Sequence, residues 1–223
     1  MKTGSTLNIF KIFPLISTLK DMKSWTTQSI VDFSLTNPIL RPLQVRSEIH
    51  RLAEIVADLK PKNLLEIGTC RGGTLCILSR LASPDGNIIS LDLPNGEFGG
   101  GYKWFHIPIF KAFPYAKQKL HLLRGDSHSA EMANAVRKIL GEEKLDLLFI
   151  DGDHTYEGVK KDFEDYSKLV RRGGIIALHD IVQHPSDHCD VSRLWQELKT
   201  IYSHEEIVES HNQNWAGIGV LYI

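Results

Sequence analysis

The stretch NLLEIGTCRGGTLCILSRL, residues 63–81, decides the fold. It opens on a short apolar run, turns at Gly68, and resumes after Gly72 and Gly73 with Leu75, Leu78 and Leu81 at helical spacing. A brief apolar run that gives way to a period near 3.6 across a glycine-rich turn reads as a strand feeding a helix. The same alternation recurs downstream. The turn SPDG leads into NIISLD (87–92), and LHLLRGD (120–126) precedes a helix with Met132, Val136, Ile139 and Leu140 on its apolar side. LDLLFID (145–151) precedes a helix carrying Val159, Phe163, Tyr166 and Val170, and GGIIALHD (173–180) supplies a fifth strand. Near-continuous apolar strands alternating with helices imply βαβ units and a parallel sheet covered on both faces.

The flanks break this rhythm. After the helix VSRLWQELKTI, the runs EEIVES and GIGVLYI lie close together, which suits an antiparallel hairpin at the end of the sheet. Upstream, Val45, Ile49, Leu52, Ile55, Val56 and Leu59 share one face of a helix leading into the first strand. Residues 1–44 hold Trp25, Ile30, Val31 and Phe33 in a further helix, with Pro38 and Pro42 preventing its continuation. The expectation is an α/β domain over 45–223 with an N-terminal helical extension or lid over 1–44.

The chain has 223 residues, 42% of them hydrophobic and 24% charged, with a formal net charge of -1. That length suits one large domain. The near-neutral balance argues against nucleic acid or an anionic membrane as the main partner. Cys70, Cys76 and Cys189 form no CxxC pair, which fits a reducing, cytoplasmic setting. The N-terminal MKTGSTLNIFKIFPLISTLK is interrupted by Lys11 and Pro14 and lacks an A-x-A-like site, so it is not read as a leader. No stretch approaches the roughly 20 apolar residues of a membrane span. Apolar residues in the first 35 positions leave a homo-oligomer open.

Open parallel sheets bind ligands beyond the carboxyl ends of their strands. Here those ends carry Glu66, Asp92, Asp126, Asp151 and Asp180, one acid for each of five successive strands. Taken singly, each reads as a loop acid; as an ordered set they read as a binding rim. A dinucleotide site fits poorly, because G-x-G-x-x-G needs glycine where this chain has Cys70. The Glu66 carboxylate would also oppose a pyrophosphate. A ligand bearing an ammonium and a sulfonium reverses that sign, and S-adenosylmethionine has both. In this reading Glu66, Gly68, Thr69 and Gly72 shape the methionyl site, and Asp92 accepts from the ribose hydroxyls. Asp126 and Ser127 address the adenine edge, and Asp151 borders the cofactor.

Methyl transfer to a hydroxyl is an in-line displacement that needs the acceptor's proton removed by a base or its pKa lowered by a metal. Asp151 and Asp180, if their strands are neighbours, reach one divalent ion such as Mg²⁺. His154 or Asp151 is the candidate base, with Asp153 the expected partner of a charged His154. The plainer reading assigns Asp153, His154 and Thr155 to capping the helix that starts near Tyr156. HDIVQHPSDHCD, with His184, His188, Cys189 and Asp190, matches no familiar ligand spacing and reads as a polar loop bordering the site. LPNGEFGGGYKWFHIP (93–108) reads as a mobile cover that closes Tyr102 and Trp104 over the ligands.

Together LLEIGTCRGGT, ISLDLPNGEFGGGY, LLRGDSHS, LLFIDGDHTYEGVKKD and GGIIALHD resemble the class I S-adenosylmethionine-dependent methyltransferases. The nearest branch by this resemblance is that of the macrocin O-methyltransferase and cephalosporin-biosynthesis methyltransferase proteins, over residue 44 to the end. The resemblance implies a Rossmann-like, seven-stranded, mostly parallel sheet with an antiparallel last strand and helices on both faces. It also implies metal ligands at Asp151, His179 and Asp180, where the imidazole of His179 favours Mn²⁺ or a softer ion over Mg²⁺. The expected activity is S-adenosylmethionine-dependent O-methylation of a small-molecule hydroxyl acceptor with divalent-metal assistance. Sugar, polyketide, phenolic and amino acid hydroxyls all stay open as acceptors. The rival readings are a nicotinamide-dependent oxidoreductase and a non-catalytic cofactor-binding or assembly protein on the same fold.

Overall fold

The computed structural model describes residues 9–21, 25–185 and 188–223. Residues 1–8, part of the stretch weighed as a leader, and Ser186 and Asp187 of the polar loop lie outside the described residues. Seven strands form one sheet: β1 Asn63–Ile67, β2 Asn87–Asp92, β3 Lys119–Arg124, β4 Leu145–Ile150, β5 Val170–His179, β6 Ser203–Ile207 and β7 Ile218–Tyr222. Among them run α1 Ile9–Asp21, α2 Thr27–Thr36, α3 Arg46–Leu59, α4 Gly73–Leu81, the single turn α5 Ile107–Phe110, α6 Ala130–Leu140, α7 Tyr156–Tyr166 and α8 Val191–Leu198.

The order across the sheet is β3-β2-β1-β4-β5-β7-β6. The first five strands are parallel, and β7 runs antiparallel to both β5 and β6. This is the expected Rossmann-like architecture, with the closing hairpin folded so that the last strand lies inside β6. Strands β1 and β4 are buried at every position because helices cover both faces. Alternate side chains feed two cores. Leu64, Ile88, Leu147 and Phe149 face α1 to α5, whereas Leu65, Ile89, Leu148 and Ile150 face α6, α7 and α8.

Helices α1 and α2 share the first of these cores, where Leu15, Leu19, Ile30, Val31 and Leu40 pack with Leu75 and Leu78 of α4. Trp25 and Phe33 meet edge to face at 5.0 Å against this core, a packing role. Helix α2 starts on Thr26, whose hydroxyl accepts from Ser29 N at 3.1 Å. Among the described residues, no helix is long and apolar enough to cross a membrane.

Candidate functional site

The site begins where β1 and β4 end side by side. Gly68 has φ +88°, and a Cβ there would lie 1.9 Å from the carbonyl oxygen of Asp151. The two strand ends therefore approach only because residue 68 has no side chain. Asp151 N donates to Ile67 O at 2.8 Å, and Gly68 N donates to Leu91 O at 2.9 Å, which joins the tips of three strands. Gly72 also has a positive φ, but a Cβ there would strike the Phe110 ring at 2.2 Å. Gly72 lines neither of the two clefts over the strand ends, and its missing side chain makes room for Phe110 at the start of α4.

Glu66 lies at the end of β1, just before this turn. It is fully buried, its Oε2 accepts from Thr69 Oγ1 at 2.7 Å, and Thr69 Oγ1 stands 2.7 Å from Ser90 Oγ. Burial pushes its carboxyl well above the ordinary range and favours the uncharged form. Glu66 is not among the residues lining either cleft, and its buried Oε1 finds no hydrogen-bond partner among the described residues. Thr69 itself borders the second cleft.

A first cleft of about 300 Å³ runs over the strand ends and is lined by Gly68, Asp92, Asp126, Ser127, His128 and Asp151. Asp92 Oδ2 accepts from Cys70 N at 3.1 Å and from Tyr102 N at 2.8 Å. One carboxylate oxygen is thus committed to holding two loops. Burial raises this carboxyl above its usual range despite those donors. Asp126 Oδ1 accepts from His128 N at 2.9 Å, and Ser127 O accepts from the Tyr166 hydroxyl at 2.8 Å, which holds this corner of the cleft.

A second cleft of about 540 Å³ adjoins the first and is bordered by Gln44, Asp151, His154, His179, Asp180 and Trp215. The two clefts share Gly68, Cys70, Glu97, Phe98 and Asp151. At their junction sits a cluster of two carboxylates and two imidazoles. His179 Nδ1 stands 3.3 Å from Asp151 Oδ1 and 3.3 Å from Asp180 Oδ1. His154 Nε2 is 3.5 Å from Asp151 Oδ1, and its Nδ1 is 3.2 Å from Asp180 Oδ2. Gln44 Nε2 donates to Asp151 Oδ2 at 3.2 Å, and Ala216 N donates to Asp180 Oδ1 at 3.1 Å.

Charges in this cluster hold one another. Burial raises the Asp151 carboxyl, but His179 and His154 outweigh it and bring Asp151 well below the usual carboxylate range. Burial disfavours a charged His154, yet Asp151, a hydrogen bond with Cys189, and Asp180 push its pKa up to about 10. The partners of the charged imidazole are therefore Asp151 and Asp180, not Asp153 as the sequence suggested. Asp153 Oδ1 instead accepts from Thr155 N at 2.9 Å and from Thr155 Oγ1 at 2.8 Å, beside the Thr155 cap of α7.

Asp151, His179 and Asp180 each present one donor atom, all within 4.8 Å of one another. His179 is buried, and neither of its ring nitrogens makes a directional hydrogen bond. One imidazole nitrogen and two carboxylate oxygens gathered this closely are a donor set that fits a divalent cation.

The cover loop is rearranged relative to expectation. Tyr102 is buried in the core, its ring 5.2 Å from Phe110, while Trp104 is 75% exposed. From this loop it is Phe98 that reaches the site, stacked on His154 at 4.8 Å and 14°. Gln44, Phe98 and Trp215 carry no local sequence signal, because each acquires its position from contacts far along the chain.

These elements define a Rossmann-like α/β protein with two adjoining clefts that meet at an acid–imidazole cluster. A family model described as a methyltransferase domain matches residues 65–181. That span is more than half of the chain, and the protein belongs to this methyltransferase-domain family. An uncharacterized protein of Acanthamoeba polyphaga mimivirus is 28% identical over 126 residues, 52% of this chain and 50% of that protein. An uncharacterized protein of Sinorhizobium fredii is 23% identical over 179 residues, 75% of this chain and 18% of that protein. The chain thus spans half or less of the length of these curated relatives. Among solved structures, the O-methyltransferase TomG of Streptomyces achromogenes, in complex with SAM, superposes with a TM-score of 0.59 at 18% identity, covering 90% of this chain and 91% of that one. The O-methyltransferase from Bacillus cereus in complex with SAH gives a TM-score of 0.59 at 17% identity, covering 94% and 97%. At such identities the likeness is one of fold.

Proposed function

We propose that this protein is a class I S-adenosylmethionine-dependent methyltransferase acting on a hydroxyl oxygen of a small molecule, within the branch of the macrocin and cephalosporin-biosynthesis enzymes. The observation that carries the reading is the meeting of two clefts at Asp151 and Phe98. A donor in one and an acceptor in the other would face each other across the acid–imidazole cluster.

In this reading Asp92 receives the ribose hydroxyls, and Asp126 and Ser127 line the adenine end. Gly68 allows a ligand close to the backbone at the methionyl end. S-adenosylmethionine, when bound, supplies the electrophilic methyl group. Asp151, His179 and Asp180 hold the cation, Mn²⁺ or Mg²⁺, which when bound lowers the pKa of the acceptor hydroxyl. Gln44 orients Asp151 through its 3.2 Å bond. Of the two candidate bases, Asp151 keeps an ionised carboxylate on the wall shared by the clefts, whereas His154 already holds its proton, so proton uptake is assigned to Asp151. Arg41, Pro42, Leu43 and Gln44 border the second cleft, so the end of the N-terminal extension contributes to acceptor choice. All three cysteines are free, which supports a reducing, cytoplasmic setting.

The test is calorimetric titration of the full chain with S-adenosylhomocysteine and, separately, NAD. S-adenosylhomocysteine is expected to bind and NAD not. Asp151→Ala is expected to abolish turnover on a panel of hydroxyl acceptors while changing S-adenosylhomocysteine affinity by no more than a few-fold. Tight NAD binding with no adenosyl binding would sink the reading. Adenosyl binding with no turnover and no metal dependence would favour a non-catalytic binding protein.

A further inference from the structure

The cation of the proposed reaction sits with Asp151, His179 and Asp180. A second set overlaps this one and contains sulfur: His154, Asp180 and Cys189 each present one donor atom, all within 4.8 Å of one another. Three separate segments bring these groups together. His154 lies between β4 and α7, Asp180 directly follows β5, and Cys189 stands two residues before α8. The meeting is pinned by backbone, since Asp190 N donates to His154 O at 2.8 Å. That bond ties the residue after Cys189 to the histidine itself.

The two other donors are equally constrained. Asp180 has φ +61°, its Oδ1 accepts from Ala216 N at 3.1 Å, and its Oδ2 faces His154 Nδ1 at 3.2 Å. The His154 ring plane is set by the Phe98 ring stacked 4.8 Å away. Ligand atoms around a tetrahedral ion, at about 2.0–2.3 Å from it, stand roughly 3.3–3.8 Å apart. The His154–Asp180 separation of 3.2 Å is already close to that spacing, and the Cys189 Sγ lies within 4.8 Å of both.

The chemistry of the set differs from that of its neighbour. Magnesium takes oxygen ligands, whereas a thiolate with an imidazole selects a softer ion. Three protein donors are also the usual number where zinc additionally holds a small molecule.

We propose that His154, Asp180 and Cys189 form a binding site for a soft divalent cation of the zinc class, separate from the ligand set at Asp151 and His179. The two sets share Asp180, whose Oδ1 faces His179 and whose Oδ2 faces His154. Binding breaks the Cys189 S–H bond and forms a metal–sulfur bond. Protons from Cys189 and from His154 Nδ1 pass to solvent, and no redox partner is involved. The inference rests on the donor atoms and not on the methyl-transfer reading.

The experiment is titration of the full, chelator-stripped protein with Co²⁺, followed in the near-ultraviolet for thiolate-to-cobalt charge transfer. One equivalent is expected to produce the band, and Zn²⁺ to bleach it. The band should persist in Asp151→Asn and Cys70→Ser and vanish in Cys189→Ser. Absence of the band in the native protein, or its survival in Cys189→Ser, overturns the site. Loss of the band in Asp151→Asn overturns its separateness. A second measurement needs no variant: Zn²⁺ is expected to slow alkylation of Cys189 at least tenfold, read by mass spectrometry, and to leave Cys70 unchanged. Equal rates for Cys189 with and without Zn²⁺ overturn the proposal. If S-adenosylhomocysteine fails to bind, the functional reading falls while the cobalt spectrum still decides this site.

Discussion

Asp151 is held from several directions at once: Gln44 donates to one oxygen, two imidazoles flank the other, and its amide donates to Ile67. That environment depends on Gly68, whose missing side chain lets the Asp151 carbonyl approach. Replacing Gly68 with alanine adds a methyl group where the backbone oxygen would be 1.9 Å away, at a φ of +88°. Such overlap between two strand ends cannot relax by rotating a side chain. We expect Gly68→Ala to cost at least about 3 kcal/mol in urea denaturation. A loss below about 1 kcal/mol would show that the strand ends have room to separate.

At the scale of elements, one buried carboxylate ties a helix to a distant connector. Glu48, in the first turn of α3, is fully buried and accepts from Glu209 N at 3.1 Å, Gln213 Nε2 at 2.6 Å and Gly217 N at 2.9 Å. The connector between β6 and β7 would otherwise leave two amides without acceptors. It also presents Trp215 to the second cleft and the Ala216 amide to Asp180. Glu48→Ala is expected to cost about 2–4 kcal/mol, since hydrogen bonds to a charged group are lost and buried donors are stranded. Amide hydrogen exchange over residues 209–217 should accelerate in the variant, with Glu48→Gln restoring part of the protection. Unchanged exchange would mean the connector is ordered by other contacts.

For the whole molecule, the open matter is how far residues 1–44 are separable from the sheet domain. Leu15, Leu19, Ile30, Val31 and Leu40 sit in the same core as α3 and α4, and Arg80 of α4 donates to Leu19 O. Burying each such side chain contributes about 1.5–3 kcal/mol, so together they match the net stability of an ordinary domain, about 5–15 kcal/mol. A chain beginning at Val45 is therefore expected to lose its cooperative thermal transition. If it melts at the temperature of the full chain, the extension is an appendage.

The alternation of strands and helices, the closing hairpin and the acids at the strand ends were legible in the order of residues. Periodicity is local and reports which face of an element is buried, and NLLEIG, NIISLD and LDLLFID place their acids by simple position. Tertiary packing alone decided which groups meet. It drew Glu66 inside, sent Tyr102 into the core, and brought Phe98 to His154. It also exchanged the expected Asp153 partner of His154 for Asp151 and Asp180. Only the folded chain sets Gln44 against Asp151 and Cys189 beside His154. The physical reason is that a contact between residues far apart in the chain is fixed by how crossovers pack on the sheet, and neither spacing nor composition encodes that packing.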